Sequence, residues 1–373
     1  MKKPLAAQQA ISDNTTDLPL ADLLHNRVKF AMARGRLKDA AVYAAEYADL
    51  CFGYPVIKTG QPGFLFSGNN TDRLSAPKLI HDIAQFRYLQ KQGIKIKGLE
   101  QIIGNYEKVF KSIIPLGVKV KTAPNKKQAL LIGPEYNRLI YRPQIPPIRR
   151  ALSAKWNVIT AKQDSLSAER DYLNSALGIT VIDNFLTEKA LDALRKFCLE
   201  STVWFENRYA YGRLGAFFQK GFNCPLLIRI AEELKTAFPK VIGKKHPLLQ
   251  LWGFKCDHIQ PATAPHADFA AVNVNFWITP EEANLDKNCG GMVIYDVEAP
   301  PDWDFNSYNK QTKKIMEFLK KKKARAVTIP YKANRAIIFN SDLFHTTSAV
   351  RFKDDYESRR INITMLFGKR EES

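Results

Sequence analysis

The clearest strand signal lies at residues 272 to 278, VNVNFWI, where Val272, Val274, Phe276 and Ile278 alternate with Asn273, Asn275 and Trp277. A period of two places the apolar set on one face of a β-strand and two amides with an indole on the other. Asparagine is depleted in strands, so its repetition points to one of two surroundings. Either the amides line a polar interior, where they contact a bound molecule or groups behind it, or that face is open to water. Residues 334 to 340, NRAIIFN, read as a buried strand, and the run ESRRINITMLFG supplies a last β-branched strand. Earlier, GITVIDNFLTEKALDALRKFC predicts a strand followed by a helix capped by Thr187, with Leu191, Leu194 and Phe197 on one face.

The first 118 residues show the helical period instead. LADLLHNRVKFAMARGRLKDAAVYAAEYADLCF predicts two helices about a turn at Gly35, with Ala40 and Ala44 behind it, and resembles half of a tetratricopeptide-like hairpin. Ser75 opens SAPKLIHDIAQFRYLQKQG, striped by Leu79, Ile83, Phe86 and Leu89 or Tyr88; LEQIIGNYEKVFKSI repeats the stripe through Leu99, Ile102, Ile103, Tyr106 and Phe110. Such stripes are core-facing. Residues 119 to 150, rich in proline and basic side chains, read as an extended connector.

Chemistry enters at APHADFAAVNVNFW and IIFNSDLFHTTSAV. On an extended strand His266 and Asp268 share a face while Ala267 points away, so both can address one ion. His345, far along the chain, must then arrive on another strand folded against the first. Two imidazoles and a carboxylate with the remaining positions open form the ligand set of non-haem Fe(II) enzymes that activate O2. The competing reading is a packed or surface histidine, since His-x-Asp alone recurs by chance. The other four histidines, His25, His81, His246 and His258, have no comparable company.

In order along the chain, the strand and helix from residue 179, HADF, CGGMVIYD, FHTTSAV and RRINITMLF together resemble the Fe(II)- and 2-oxoglutarate-dependent oxygenase superfamily over roughly residues 176 to 370. The resemblance implies an α+β chain: a C-terminal double-stranded β-helix (jelly-roll) oxygenase domain over 161–373, preceded by an α-helical domain over 1–118 and a connector over 119–160. It implies Fe(II) on His266, Asp268 and His345, and 2-oxoglutarate as cosubstrate. Arg360 would hold the far carboxylate, because a guanidinium offers two parallel donors and keeps its charge. Asn362, two residues on, would add a neutral partner, and Asn273 and Asn275 would contact the cosubstrate or its surroundings. Arg351 and Arg359 compete for the role of Arg360, which is otherwise a surface cation beside Glu357. Trp252, Lys255 and Tyr295 are further candidates for the pocket wall. The run Arg-Ile-Asn-Ile-Thr resembles the Arg-x-Asn-x-Thr of nucleic-acid demethylases, but Leu366 stands where those carry a second arginine. Halide-transferring members replace the carboxylate with Gly or Ala; Asp268 is present, so the implied chemistry is hydroxylation, or another oxidation begun by hydrogen abstraction, with release of succinate and CO2.

At 373 residues and 45% hydrophobic content the chain can bury a sizeable core. Five cysteines, an odd number without a Cys-x-x-Cys pair, suit a reducing cytosol better than a disulfide framework. Lys2 and Lys3 precede a stretch too short and polar for a secretion signal, and no apolar run is long enough to span a membrane. The expectation is a cytoplasmic, soluble protein. The formal net charge of +19 suggests nucleic acid. However, residues 1–150 carry 24 Lys and Arg against 11 Asp and Glu, while residues 251–300 carry 2 against 7. A phosphate-tracking mouth would have the opposite sign. The basic run KKIMEFLKKKKAR reads as a solvated amphipathic helix. The leading expectation is an oxygenase acting on a small-molecule, amino-acid or peptidyl substrate, with the helical part available to a protein partner. A nucleic-acid demethylase is the alternative, and a non-enzymatic helical binding protein a third.

Overall fold

A computed structural model describes residues 20–55, 73–117, 120–143, 157–160, 162–207 and 211–370. The N-terminal lysines read above, and residues 144–156 of the connector, lie outside these. Helices α1 (Leu20–Ala33) and α2 (Leu37–Phe52) form an antiparallel hairpin. Gly35 turns it at φ +69°, where a side chain would be strained. Ala40, Ala41, Ala44 and Ala48 are fully buried, their small size letting α1 lie close. Strand β1 (Leu74–Ser75) leads into α3 (Ala76–Lys91), whose first turn is capped by the Ser75 hydroxyl accepting from the Lys78 N–H. Then come α4 (Leu99–Ile113), β2 (Lys121–Thr122), paired with β1, and α5 (Lys126–Ile132). The connector is therefore not wholly extended. Asn125 and Gln128 bond each other's backbone N–H at 2.9 Å, a reciprocal cap that starts α5 despite the flanking lysines.

The remaining elements are α6 (Lys162–Asn174), β3 (Ile179–Ile182), α7 (Glu188–Glu200), β4 (Arg213–Phe217), α8 (Pro225–Ala237), β5 (Leu248–Cys256), β6 (Ile259–Gln260), β7 (Ala270–Trp277), β8 (Met292–Glu298), α9 (Phe305–Asn309), α10 (Thr312–Lys321), β9 (Ala326–Ile329), β10 (Ala336–Asn340), β11 (Leu343–Thr347), β12 (Val350–Arg351) and β13 (Ile361–Lys369). Six strands form an antiparallel sheet in the order β3-β10-β7-β13-β5-β4, three form a second, β11-β8-β9, and β12 pairs with β6. Helix α7 begins after Thr187 as expected, but that hydroxyl donates to the Asn157 carbonyl instead of capping the helix.

Alternation decides what each sheet face touches. Val272, Val274 and Phe276 of β7, with Ile361, Ile363 and Met365 of β13, share one apolar cluster with α7, α8 and the α1–α2 hairpin. The opposite face meets the smaller sheet: Trp277, Ile337 and Phe339 pack with Met292, Ile294 and Leu343. Helices α3, α4 and α5 hold a separate cluster that includes the edge-to-face pair Phe86 and Tyr106, 5.2 Å apart. The N-terminal helices thus serve two cores. The first hairpin joins the large sheet through Val28, Ala31 and Met32, whereas α3 to α5 bury their stripes on one another. Each large apolar side chain so buried is worth about 1.5–3 kcal/mol. Among the described residues no helix is long and apolar enough to cross a membrane.

Candidate metal centre

His266 lies just before β7 and is paired with His345 of β11 by two backbone hydrogen bonds, His266 N–H to the His345 carbonyl at 3.0 Å and the reverse at 2.8 Å. Cross-strand partners project to the same side, and the two rings stand 4.5 Å apart between centroids. Ala267, between His266 and Asp268, is fully buried in a different cluster beside Phe344. Its backbone is pinned by Tyr308, whose carbonyl accepts at 2.9 Å, and by the Asn309 amide, which donates at 2.8 Å. The alternation anticipated for His-x-Asp is realised. One ligand atom from each of His266, Asp268 and His345 lies within 4.8 Å of the others.

Hydrogen bonds orient these donors. The Nδ1 of His266 meets the Ala264 carbonyl and that of His345 the Leu343 carbonyl, each at 3.0 Å. With Nδ1 protonated, each Nε2 keeps a free lone pair, the form a metal requires; the His345 Nε2 stands 3.5 Å from an Asp268 oxygen. Burial pushes the Asp268 carboxyl up. His345, His266 and the Asn273 amide, which donates at 2.7 Å, outweigh that and hold it below the ordinary value. Burial and the neighbouring His345 push His266 down. Two imidazoles with their Nδ1 atoms turned to carbonyls, beside a carboxylate, fit a divalent cation.

A second group, Asp257, His258 and Asp354, brings its ligand atoms equally close, but they are engaged with one another and with Arg359. His258 Nδ1 faces Asp257 at 3.1 Å and Asp354 at 3.3 Å, Asp257 also faces Arg359 at 3.4 Å, and Asp354 is mostly exposed.

The triad opens into a cavity of about 710 Å³. Arg360, Asn362 and Thr364 alternate along β13 onto this cavity, as does Asn275 from β7. Asn275 Oδ1 accepts from Thr364 at 2.7 Å and Asn362 at 3.0 Å, and its amide donates to Asn273. A polar chain therefore runs from Asp268 through Asn273 and Asn275 to β13. Of the two surroundings open for the asparagines, the interior one is found: Asn273 is 0% and Asn275 4% exposed. Asn273 sits behind Asp268 and does not line the cavity.

The three arginines separate clearly. Arg351 is exposed and Arg359 faces Asp257. Arg360 is 2% exposed, donates from Nε to the Gly290 carbonyl at 2.7 Å, lies 5.5 Å from the Trp277 ring centre, and has no carboxylate partner among the described residues. Gly290, at φ +81°, offers that carbonyl in a conformation, and against a Phe352 ring, that leaves no room for a Cβ. Burial draws the Arg360 pKa below its ordinary value. A desolvated cation without a counter-ion is costly unless an anion joins it.

Some expectations are corrected. Of the wall candidates only Trp252 reaches the cavity. Lys255 falls on the other face of β5, where it donates to the Cys198 carbonyl at 2.9 Å and the Tyr356 hydroxyl at 2.8 Å; Tyr295 packs beside the cluster around Phe344. The acid-rich strip 251–300 makes no acidic mouth, because among its acidic residues only Asp268 lines the cavity. Conversely His25, Lys29 and Met32 of α1, and Glu206, Arg213 and Lys220, line it without any motif having marked them.

No family model matches the chain, and no curated protein does. Among solved structures it resembles the alpha-ketoglutarate-dependent non-heme carbocyclase SnoK of nogalamycin biosynthesis, with 13% identity, TM-score 0.40, and coverage of 56% of this chain and 86% of that one. A prolyl hydroxylase from Trichoplax adhaerens, solved with a hypoxia inducible factor peptide, matches at 14% identity, TM-score 0.37, and coverage of 56% and 90%. HygX from Streptomyces hygroscopicus, solved with nickel, 2-oxoglutarate and hygromycin B, matches at 11%, TM-score 0.37, and coverage of 55% and 87%. At this distance no residue role passes from those proteins to this one, so the chemistry rests on the site itself.

Proposed function

We propose that this protein is an Fe(II)- and 2-oxoglutarate-dependent dioxygenase that hydroxylates, or otherwise oxidises, a small-molecule, amino-acid or peptidyl substrate in the cytoplasm. Its two facing sheets form the double-stranded β-helix, with the helical segments before it as a structural or recognition part. One observation carries the reading: two imidazoles whose Nδ1 atoms are turned to carbonyls converge with a carboxylate in a cavity that also holds a buried arginine with no acidic partner among the described residues. His266, Asp268 and His345 would hold the iron and Arg360 the far carboxylate of 2-oxoglutarate. Iron and cosubstrate, when bound, supply O2 activation, one oxygen atom going to the substrate and the other to succinate as CO2 leaves. The chain's own part is to keep both Nε2 lone pairs available, hold Asp268 ionised through Asn273, and bind a dicarboxylate end-on by a cation that cannot lose its proton.

Succinate release from 2-oxoglutarate by the Fe(II)-loaded protein tests this. His345→Ala and Asp268→Ala should each lower it by about 1,000-fold or more, since oxygenase turnover needs all three ligands, while the circular dichroism spectrum and melting midpoint persist. Full consumption by either variant would falsify the assignment. A nucleic-acid demethylase is the second reading, favoured by the excess of cations around the cavity. Against it, Leu366, fully buried, occupies the place of a second arginine.

A further inference from the structure

The cavity is far larger than a five-carbon dicarboxylate requires. His25, Lys29 and Met32 of α1, with Phe218 and Lys220 of the turn Phe218–Lys220, line it together with the triad, and both segments pack on β5. Setting aside the triad and Arg360, the charged lining among the described residues is Lys29, Arg213, Lys220 and Glu206. Lys220 is bound to Glu206, while Lys29 makes no ion pair among the described residues. Arg213 is buried on the edge strand, opposite Cys256, whose N–H donates to the Arg360 carbonyl at 2.9 Å. Arg213, Cys256 and Arg360 thus form a row, with β5 between Arg213 and Arg360. The same wall carries Phe217, with Trp252 at 6.0 Å and Phe254 edge-on at 6.4 Å.

We infer that the molecule oxidised here is an anionic small molecule with an apolar body, its acidic group read by Lys29, Lys220 and Arg213 and its body by Phe217, Trp252 and Phe254. The inference rests on the reading of the triad as the metal centre. A few cations on the wall of one aromatic-lined cavity suit a compact acid, whereas a nucleic-acid strand needs a continuous track of them.

The test uses the full chain, with and without Mn(II) and saturating 2-oxoglutarate, so that the Arg360 site is filled in one arm. Binding of 3-phenylpropanoate, benzylphosphonate, 3-phenylpropanamide and 3-phenylpropylamine is followed by tryptophan fluorescence, beside a single-stranded oligonucleotide. At least one of the two anions should bind about tenfold or more tighter than the amide and the amine; which one distinguishes a carboxylate from a phosphate group. Lys29→Glu should weaken the anion by about five- to tenfold and favour the amine, the range expected for reversing an exposed charge. Equal binding of acid and amide, or an acid preference unchanged in both Lys29→Glu and Arg213→Gln, overturns the inference. So does oligonucleotide binding tighter than either anion. Failure of Mn(II) and 2-oxoglutarate to bind the unaltered protein would instead strike the metal-centre reading, and the selectivity measured without Mn(II) is judged separately.

Discussion

The two faces of the central strands β7 and β13 are equally buried and do opposite things. On one, Val272, Val274, Phe276, Ile363 and Met365 are at most 3% exposed and form the apolar floor beneath the helices. On the other, Asn273, Asn275, Arg360, Asn362 and Thr364 are at most 8% exposed and polar. Burying the first set stabilises the fold directly. Burying the second is close to neutral where hydrogen bonds are complete, and unfavourable where they are not. Asn275 accepts from both Asn362 and Thr364, but the Asn362 Oδ1 has no partner among the described residues, and Arg360 meets only uncharged groups there, the Gly290 carbonyl and Cys256. Burial therefore does not distinguish core from site; the unfinished pairing of the polar face does.

The contrast predicts which observable each face controls. Phe276→Ala, on the apolar face, should lower unfolding free energy by about 3–5 kcal/mol, the usual range for a deleted core aromatic, with metal affinity of the folded protein unchanged; denaturant titration reads this. On the polar face, Arg360→Ala should raise the 2-oxoglutarate KM by about 30-fold or more, since removing one partner of a buried charge-assisted pair costs about 2–5 kcal/mol. Its neighbour Arg359, which already faces Asp257, should leave that KM unmoved when changed to Ala. If the two arginines exchange these phenotypes, the roles assigned to them exchange too. Asn275→Ala should destabilise by about 1–3 kcal/mol, because it strands the buried donors of Asn362 and Thr364; a stability unchanged from wild type would mean water replaces the amide.

The smallest effect belongs to the sheet edge. Asp183, just after β3, is held at about 2 by the hydrogen bond from Arg335, against burial, with help from Lys332. A folded-state pKa below the ordinary 3.8 contributes stability that is present above that value and lost as pH falls through about 2. Asp183→Asn should therefore flatten the decline of stability between about pH 4 and 2, by less than about 1 kcal/mol because the pair is partly exposed. An unchanged acid-side slope would remove that tether.

Local pattern alone determined a good deal. The alternation of VNVNFWI, the His-x-Asp spacing and the run Arg-Ile-Asn-Ile-Thr each specify which side chains share a face, because a strand's period of two is a property of the backbone. The stripes of α3 and α4 are equally local, as is the turn at Gly35. What a pattern of period two does not encode is what lies opposite. Whether the asparagines face water or an interior depended on the three-stranded sheet folding over them, and whether His345 meets His266 depended on one antiparallel bridge between distant segments. Lys255 was misplaced because it is one residue out of phase with Trp252. The acidic mouth read from residues 251–300 disappeared because linear charge density says nothing about which side chains converge. Helix α1 joined the cavity wall for the same reason: His25, Lys29 and Met32 are unremarkable on their own helix, and only packing against β5 and the turn at Lys220 gives them a common space to line.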